Sequence, residues 1–425
     1  MTQIKPFRGV IYNQQKIKDL SSLACPPYDV ISPAMQQQYY DLSPYNFIRI
    51  LLRKDTCGED KYQAAGETFR KWLQDEVFIQ DDTPAIYFYS LQYKIKGQTK
   101  SRLGFIALLR LEDKDSRIWR HEHTRPAPKE DRLKLLRQAR ANLSPIFVVF
   151  SDKKRVIPHM YEQHIKTKEP FIRLIDQEQD IHQLWRISSP EILEKIQQKI
   201  NGESFFIADG HHRYEVACAY RDEIKKAPGK ITQGQNLDYI MAYFTNTDPR
   251  GLSILPIHRL LKDDSRLDDD SFIVKLREHF EEEEVREKER FFFLMEKGGC
   301  RQHVLGMYRR KKFYLLRLRN PKILDSMIAD KSGEYRSLDI SILNQLILKK
   351  VLGLDLENKE NLEFNPSIDE IIEKADLNPS NTAFFLNPVK IQEIIAVSLA
   401  GERMPAKSTY FYPKVLSGLL INKLE

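Results

Sequence analysis

Short apolar runs suited to strands alternate with segments of helical period along most of this chain, the pattern of an α+β protein. The sharpest instance is SFFIADGHHRYEVACAYRDE, residues 204–223. Phe205-Phe206-Ile207-Ala208 predicts a buried strand, and the pattern breaks at Asp209-Gly210. It restarts as a helix with Tyr214, Ala217, Cys218 and Tyr220 on one face and Glu215, Arg221, Asp222 and Glu223 on the other. Before this turn the pattern predicts strands at 5–12 and 46–52 and a hairpin of 84–95 with 100–111 around Lys96-Gly97-Gln98. Strands at 145–151, 170–174 and 181–187 and helices at 33–41, 60–75, 129–142 and 189–200 complete that part, with 125–128 a proline-containing loop. Strands at 237–246 and 252–256 follow the turn.

At 262–270 (KDDSRLDDD) the composition turns acidic and polar, which marks a domain boundary. Residues 1–262 are expected to form an N-terminal domain with the DGHHR turn, and 271–425 a C-terminal α/β domain whose last segment packs back on the first. The second part reads as helices at 271–280, 338–352, 367–375 and 388–400, a helical or mixed stretch at 286–297, a hairpin at 303–318 turning at Arg310-Lys311-Lys312, and a strand at 382–386. The run Glu283 to Arg290 reads as a solvated helix face.

Strand, glycine turn, helix is a geometry that points free backbone N–H groups at an anion. Gly210 permits the tight turn and leaves no Cβ in a ligand's way. His211, His212 and Arg213 fall on the helix's first turn, where cations are disfavoured unless an anion sits there. The bland alternative is a plain β-turn-α corner with ordinary polar imidazoles. Further candidates lie elsewhere. Pro26-Pro27 stiffens a turn that aims Tyr28 and Asp29, with Asp29 a turn residue or a site carboxylate. His121, Glu122, His123 and Thr124 end a strand segment, and Asp131 and Arg132 open the next helix. Glu122 or His121 suits proton transfer, or else pairs with nearby arginines. His258 and Arg259 follow a strand end and are either pocket residues or plain loop chemistry. Lys407-Ser408-Thr409 sits in a terminal segment that could roof the pocket, and without a glycine-rich approach it is not a Walker-type loop. His121, His123, His211 and His212 would hold a metal only if they converge, which their spacing does not require.

Composition narrows the classes. The 425 residues are 41% apolar and 30% charged, an ordinary globular balance with room for two or three domains. The net charge of +7 is mild for this length, which argues against a dedicated nucleic-acid-binding domain. No apolar run approaches the roughly 18 residues that span a bilayer, and MTQIKPFRGVIYN lacks a secretory apolar core. Cys25, Cys57, Cys218 and Cys300 form no CxxC pair, so a cytoplasmic location is expected. The sequence leaves the oligomeric state open.

DGHHRY on a strand-to-helix turn resembles the signature of the ParB/sulfiredoxin-like fold, above all its free serine kinase branch. PPYDVIS (26–32), HEHT (121–124), DRLKLL (131–136), ANLSPIF (141–147), ADGHHRYE (208–215), LPIHR (255–259) and MPAKSTYFYPK (404–414) resemble domain of unknown function family 1015 over nearly the whole chain. The resemblance implies an α+β fold with a ParB/sulfiredoxin-like mixed-sheet core, large insertions and a second α/β domain. It also implies a nucleotide-dependent phosphotransferase acting on a small hydroxylated metabolite, such as the amino acid serine, with ADP or ATP as donor and Mg²⁺ beside it. Gly210, His211, His212 and Arg213 would then grip phosphate oxygens, and Asp209 would hold Mg²⁺ or orient a histidine. Glu122 or His121 would take the acceptor's proton, with His212 at the transferred group. Tyr28, Asp29, Arg132, His258, Arg259 and Lys407 would face the substrate. This chain departs from the kinase in placing its turn far from the N-terminus, so the base has no residue-by-residue match. The alternatives are a non-catalytic nucleotide- or DNA-associated binding protein and a metal-dependent hydrolase.

Overall fold

Lys96 and Gly97 take φ of +48° and +74°, the backbone of a two-residue hairpin turn whose twist matches its strands. They join Ile86–Ile95 to Gln98–Arg110 in a long antiparallel pair. The computed structural model describes residues 2–112, 117–226, 236–248, 250–262, 270–356 and 361–424. Among these, a nine-stranded mixed sheet is built on that hairpin. Its order is Ile118–Arg120, Phe205–Asp209, Ile146–Phe150, Tyr239–Asn246, Gln98–Arg110, Ile86–Ile95, Ile181–Ile187 and Ile172–Ile175, with Ile4–Lys5 also pairing to Gln98–Arg110. Phe205–Asp209 runs antiparallel to Ile146–Phe150 and parallel to Ile118–Arg120. The fold is therefore α+β around a mixed sheet. One face of the sheet is an aromatic core in which Phe105 stacks on Phe244 at 5.0 Å, Phe244 meets Phe205 at 5.2 Å and Phe205 meets Phe150 at 5.9 Å. Burying each such ring is worth about 2–3 kcal/mol.

The chain divides into two compact units. One comprises Met1–Arg120, Thr124–Ser253 and Pro413–Glu425, and the other His121–His123 and Ile254–Tyr412. In the first, the C-terminal segment is part of the fold. Cys25 and Ser417 exchange backbone hydrogen bonds, as do Val10 and Ile421, and Leu424 N–H donates to the Arg140 carbonyl. Leu416, Leu419, Leu420, Ile421 and Leu424 are all buried. In the second unit an antiparallel six-stranded sheet runs in the order Phe280–Val285, Lys312–Leu318, Val304–Arg309, Thr382–Phe385, His258–Leu261 and Leu362–Asn365. Helices Lys288–Gly298 and Ile368–Asp376 contribute Phe291, Met295 and Ile371 to its core.

Four expectations are corrected. Residues 46–52 are not a strand: Ile48–Leu51 is a short helix, entered through Asn46, whose Oδ1 accepts the Ile48 N–H at 2.9 Å. A brief apolar run does not distinguish the two, and the Asn side chain tips the balance. The helix expected from 129 starts at Pro126, where a missing N–H costs nothing. The acidic run is not a helix face either: Glu281–Glu284 lie on Phe280–Val285, the outermost strand of its sheet, where charge discourages further pairing. His258 and Arg259 do not follow a strand end but open the buried strand His258–Leu261. Of the boundary segment at 262–270, residues 263–269 lie outside the described residues.

Candidate functional site

The pairing of Phe205–Asp209 with Ile146–Phe150 shifts register between Ile207 and Asp209, an irregularity that re-aims a side chain at a strand end. Asp209 is followed by Gly210 at φ +89°. A Cβ at 210 would lie 2.9 Å from Ile146 Cγ2 and 3.0 Å from Arg213 Nε. The space that glycine leaves is thus filled by the guanidinium of Arg213 and is not left open for a ligand, which corrects the expectation from sequence.

Arg213, on the helix His211–Lys226, donates from Nη2 to Asp209 Oδ2 at 2.6 Å and from Nη1 to the Pro145 carbonyl at 2.5 Å. Its Nε is buried without a partner. Lys414 Nζ donates to Asp209 Oδ1. Lys414 follows Pro413, whose carbonyl accepts from the buried Arg102 at 2.8 Å. Burial alone would raise the Asp209 pKa, but Lys414 and Arg213, with a smaller pull from His211, hold it at about 2. The anion expected opposite the helix's cationic first turn is in the first instance this carboxylate. Both Asp209 oxygens are engaged by cations, so as arranged it does not fit the role of a Mg²⁺ ligand. Among the described residues no cluster of three or more His, Cys, Asp or Glu side chains could hold a metal.

The same helix walls a small cleft in the first unit. Leu135, Leu136, Val216, Ala217 and Ile240 make it apolar, and Tyr28, Arg132, Asn142, Ser144 and Arg213 bring polar groups to it. The Arg132 guanidinium lies 4.2 Å over the Tyr28 ring, donates to the Leu51 carbonyl at 2.8 Å and pairs with Asp131 at 2.5 Å. Burial and the neighbouring Asp29 push the Tyr28 phenol up to about 12 against the pull of Arg132 and Arg213, so it stays neutral at ordinary pH. The structure therefore brings Tyr28, Arg132 and Arg213 to one cavity. Asp29 itself is exposed.

The other nominated residues have defined neighbours. His211 is buried at the helix start, and His212 Nε2 accepts the Arg125 N–H at 3.0 Å, which requires a lone pair there. His121 is buried, 3.0 Å from Thr409 Oγ1, and its carbonyl accepts the Met404 N–H. Glu122 Oε1 accepts the Lys407 N–H at 3.1 Å. His123 is exposed. His258 is a core residue of the second unit: burial, with Arg259 beside it, lowers its pKa to about 3, and Nδ1 accepts the Leu386 N–H at 3.3 Å. Arg259 is buried, donates to the Lys407 carbonyl at 2.7 Å and is lowered by burial to about 9. Both fit structural roles in that unit's sheet.

Three residues escaped the sequence pattern. Lys414 closed the MPAKSTYFYPK block, but Lys407 drew attention by its likeness to a phosphate loop. Glu215 looked like a solvated helix position, yet it accepts from Arg120 at 3.0 Å, Thr124 at 2.6 Å and Lys129 at 3.2 Å, and is held below the usual carboxylate range by these partners against burial. Asn142 stands in the ANLSPIF block, but nothing in that block gave it a role.

Among solved structures the chain is similar to a free serine kinase variant in complex with AMP, at 11% identity, covering 69% of this chain and 83% of that one with a TM-score of 0.36. It is similar to SbnI with a C-terminal truncation from Staphylococcus aureus, at 13% identity, 73% and 85% coverage and a TM-score of 0.36. A conserved hypothetical protein from Pyrococcus furiosus matches at 12% identity, 70% and 89% coverage and a TM-score of 0.34. A comparison with curated proteins finds no match. The profile of one family, described as Protein of unknown function (DUF1015), matches residues 4–341, and the chain belongs to that family.

Proposed function

We propose that the protein is a nucleotide-dependent phosphotransferase that seats a nucleotide in the cleft beside Arg213 and passes a phosphoryl group to a small hydroxylated molecule, such as an amino acid. The supporting observation is the Arg213 guanidinium on the wall of an apolar cleft, with its Nε buried and unpartnered. A buried donor without an acceptor costs about 1–3 kcal/mol, and a phosphate oxygen is the acceptor that a guanidinium recognises best. Arg213 and Lys414 together exceed the charge of Asp209 by one, which leaves positive potential for an anion at the helix start. The apolar side chains opposite suit a flat heteroaromatic ring.

In the reaction the acceptor oxygen bonds to phosphorus while the bond from phosphorus to the donor's bridging oxygen breaks, and the acceptor's proton leaves to a base. Positioning and charge neutralisation supply most of such catalysis. Mg²⁺ would accompany the nucleotide's phosphates, and no step is assigned to a metal held by Asp209.

Thermal-shift titrations with ADP, ATP and pyrophosphate, each with and without MgCl₂, test binding. A ligand specific for the folded state must raise the melting temperature. Wild type is expected to shift and Arg213→Gln to shift far less; the absence of any shift with wild type rejects the proposal. Phosphorus NMR with ATP and serine then tests chemistry. Phosphoryl transfer to serine is expected with wild type and is expected to fall with Arg213→Gln, whereas binding without turnover in wild type leaves a nucleotide-binding protein.

A further inference from the structure

We infer that Asn142 selects the occupant of the cleft by hydrogen-bond polarity: the ligand is a heteroaromatic base that turns an acceptor atom, a ring nitrogen or carbonyl oxygen, toward the Asn142 amide. The inference rests on the nucleotide-binding proposal and adds to it which edge of the base is read.

Asn142 closes the two-residue strand Ala141–Asn142, which pairs with Asn422–Lys423 near the C-terminus. It is 8% exposed and lines the cleft. An amide side chain has one acceptor oxygen with two lone pairs and two N–H donors. Here Oδ1 accepts the Met241 N–H at 3.0 Å and the Asn422 Nδ2–H at 2.9 Å. Both lone pairs are filled, and the Met241 backbone N–H can only donate. Rotating the amide by half a turn would set Nδ2 against the Met241 N–H, so that backbone donor fixes the orientation. What remains is Nδ2, which has no partner among the described residues. A donor held in this orientation by a residue that lines the cleft is offered to an acceptor there.

The surroundings give the class of ligand. Ile240 precedes Met241 on the strand that fixes the amide, and Ile240, Val216, Ala217 and Leu136 line the cleft with Asn142. An apolar slot with one immobile donor accepts a ring whose edge carries an unprotonated nitrogen or a carbonyl. It rejects a ring that brings an amino group to the same place, because two donors would then face each other. Arg213, on the same cleft, remains for the charged end of the ligand.

The test compares ADP with 1-deaza-, 3-deaza- and 7-deaza-ADP, in each of which one ring nitrogen becomes C–H, by calorimetric titration of the full chain. With wild type, one of the three is expected to bind about tenfold more weakly than ADP, the worth of one hydrogen bond. Asn142→Asp keeps an oxygen for Met241 and Asn422 but replaces the donor with an acceptor. It is expected to bind ADP about tenfold more weakly and to lose the distinction between ADP and that analogue, with pyrophosphate affinity unchanged. If all three analogues bind wild type as ADP does, or if Asn142→Asp leaves ADP affinity intact, the inference is wrong while nucleotide binding stands. If neither ADP nor pyrophosphate binds wild type, the nucleotide proposal falls and takes the inference with it. Should Asn142→Asp fail to fold, the analogue series on wild type decides alone.

Discussion

Gly210 and Arg213 act as one device, because the guanidinium occupies the volume that any other residue at 210 would need. Replacing Gly210 with Ala sets a Cβ against Ile146 and Arg213 at a φ of +89°. The expected cost is about 1–3 kcal/mol in urea unfolding, with weaker ADP binding because Arg213 is displaced; unchanged stability and binding would show that the contact yields easily. Asp180 gives a second prediction at this scale. It is 3% exposed, its Oδ2 has no partner, and burial together with Asp176 and Glu178 raises its pKa to about 7. A carboxyl whose folded pKa lies above its unfolded value near 3.9 favours the fold while protonated. That contribution is complete below about pH 4 and is lost as pH rises through about 7. Asp180→Asn should therefore stabilise the protein by about 2 kcal/mol at pH 8 and by almost nothing at pH 4, as measured by denaturant midpoints at the two pH values. Equal effects at both would show that the titration does not govern stability.

At the scale of elements, long periodic segments were legible in the sequence. The Lys96-Gly97 hairpin, the strand ending in Asp209 and the helix after Gly210 all follow from local chemistry: turn residues, apolar runs and a face of small and aromatic side chains. Reading the 46–52 run failed because a short, mostly apolar run suits a helix as well as a strand, and a single Asn side chain decided between them. The acidic stretch failed because an outermost strand tolerates charge that an inner strand would not. At the candidate site, sequence found the corner and the arginine. It did not find Lys414 or Asn142, whose roles come from pairings over 205 and 280 positions of chain. No local pattern records such distances. It also placed His258 and Arg259 after a strand end, as pocket residues or plain loop chemistry, whereas they open the buried strand His258–Leu261.

At the scale of the whole molecule, the first unit is closed by the last residues of the chain. Removing residues 413–425 would strip the Cys25, Val10 and Arg140 pairings and take Lys414 from Asp209. A buried carboxylate that loses one of its cationic partners costs about 3–5 kcal/mol. Hydrogen exchange on the shortened protein should show protection lost across strands Phe205–Asp209 and Ile146–Phe150 and retained across Val304–Arg309 and Lys312–Leu318. Loss of protection throughout would mean that the two units do not fold separately. During synthesis the same arrangement imposes a schedule. The first 253 residues leave the ribosome long before Pro413, and at roughly 5–20 residues per second the intervening stretch takes about ten to thirty seconds to emerge. For that interval the nascent chain waits with an uncovered seam, and a chaperone that shields it would govern how much protein reaches the finished state.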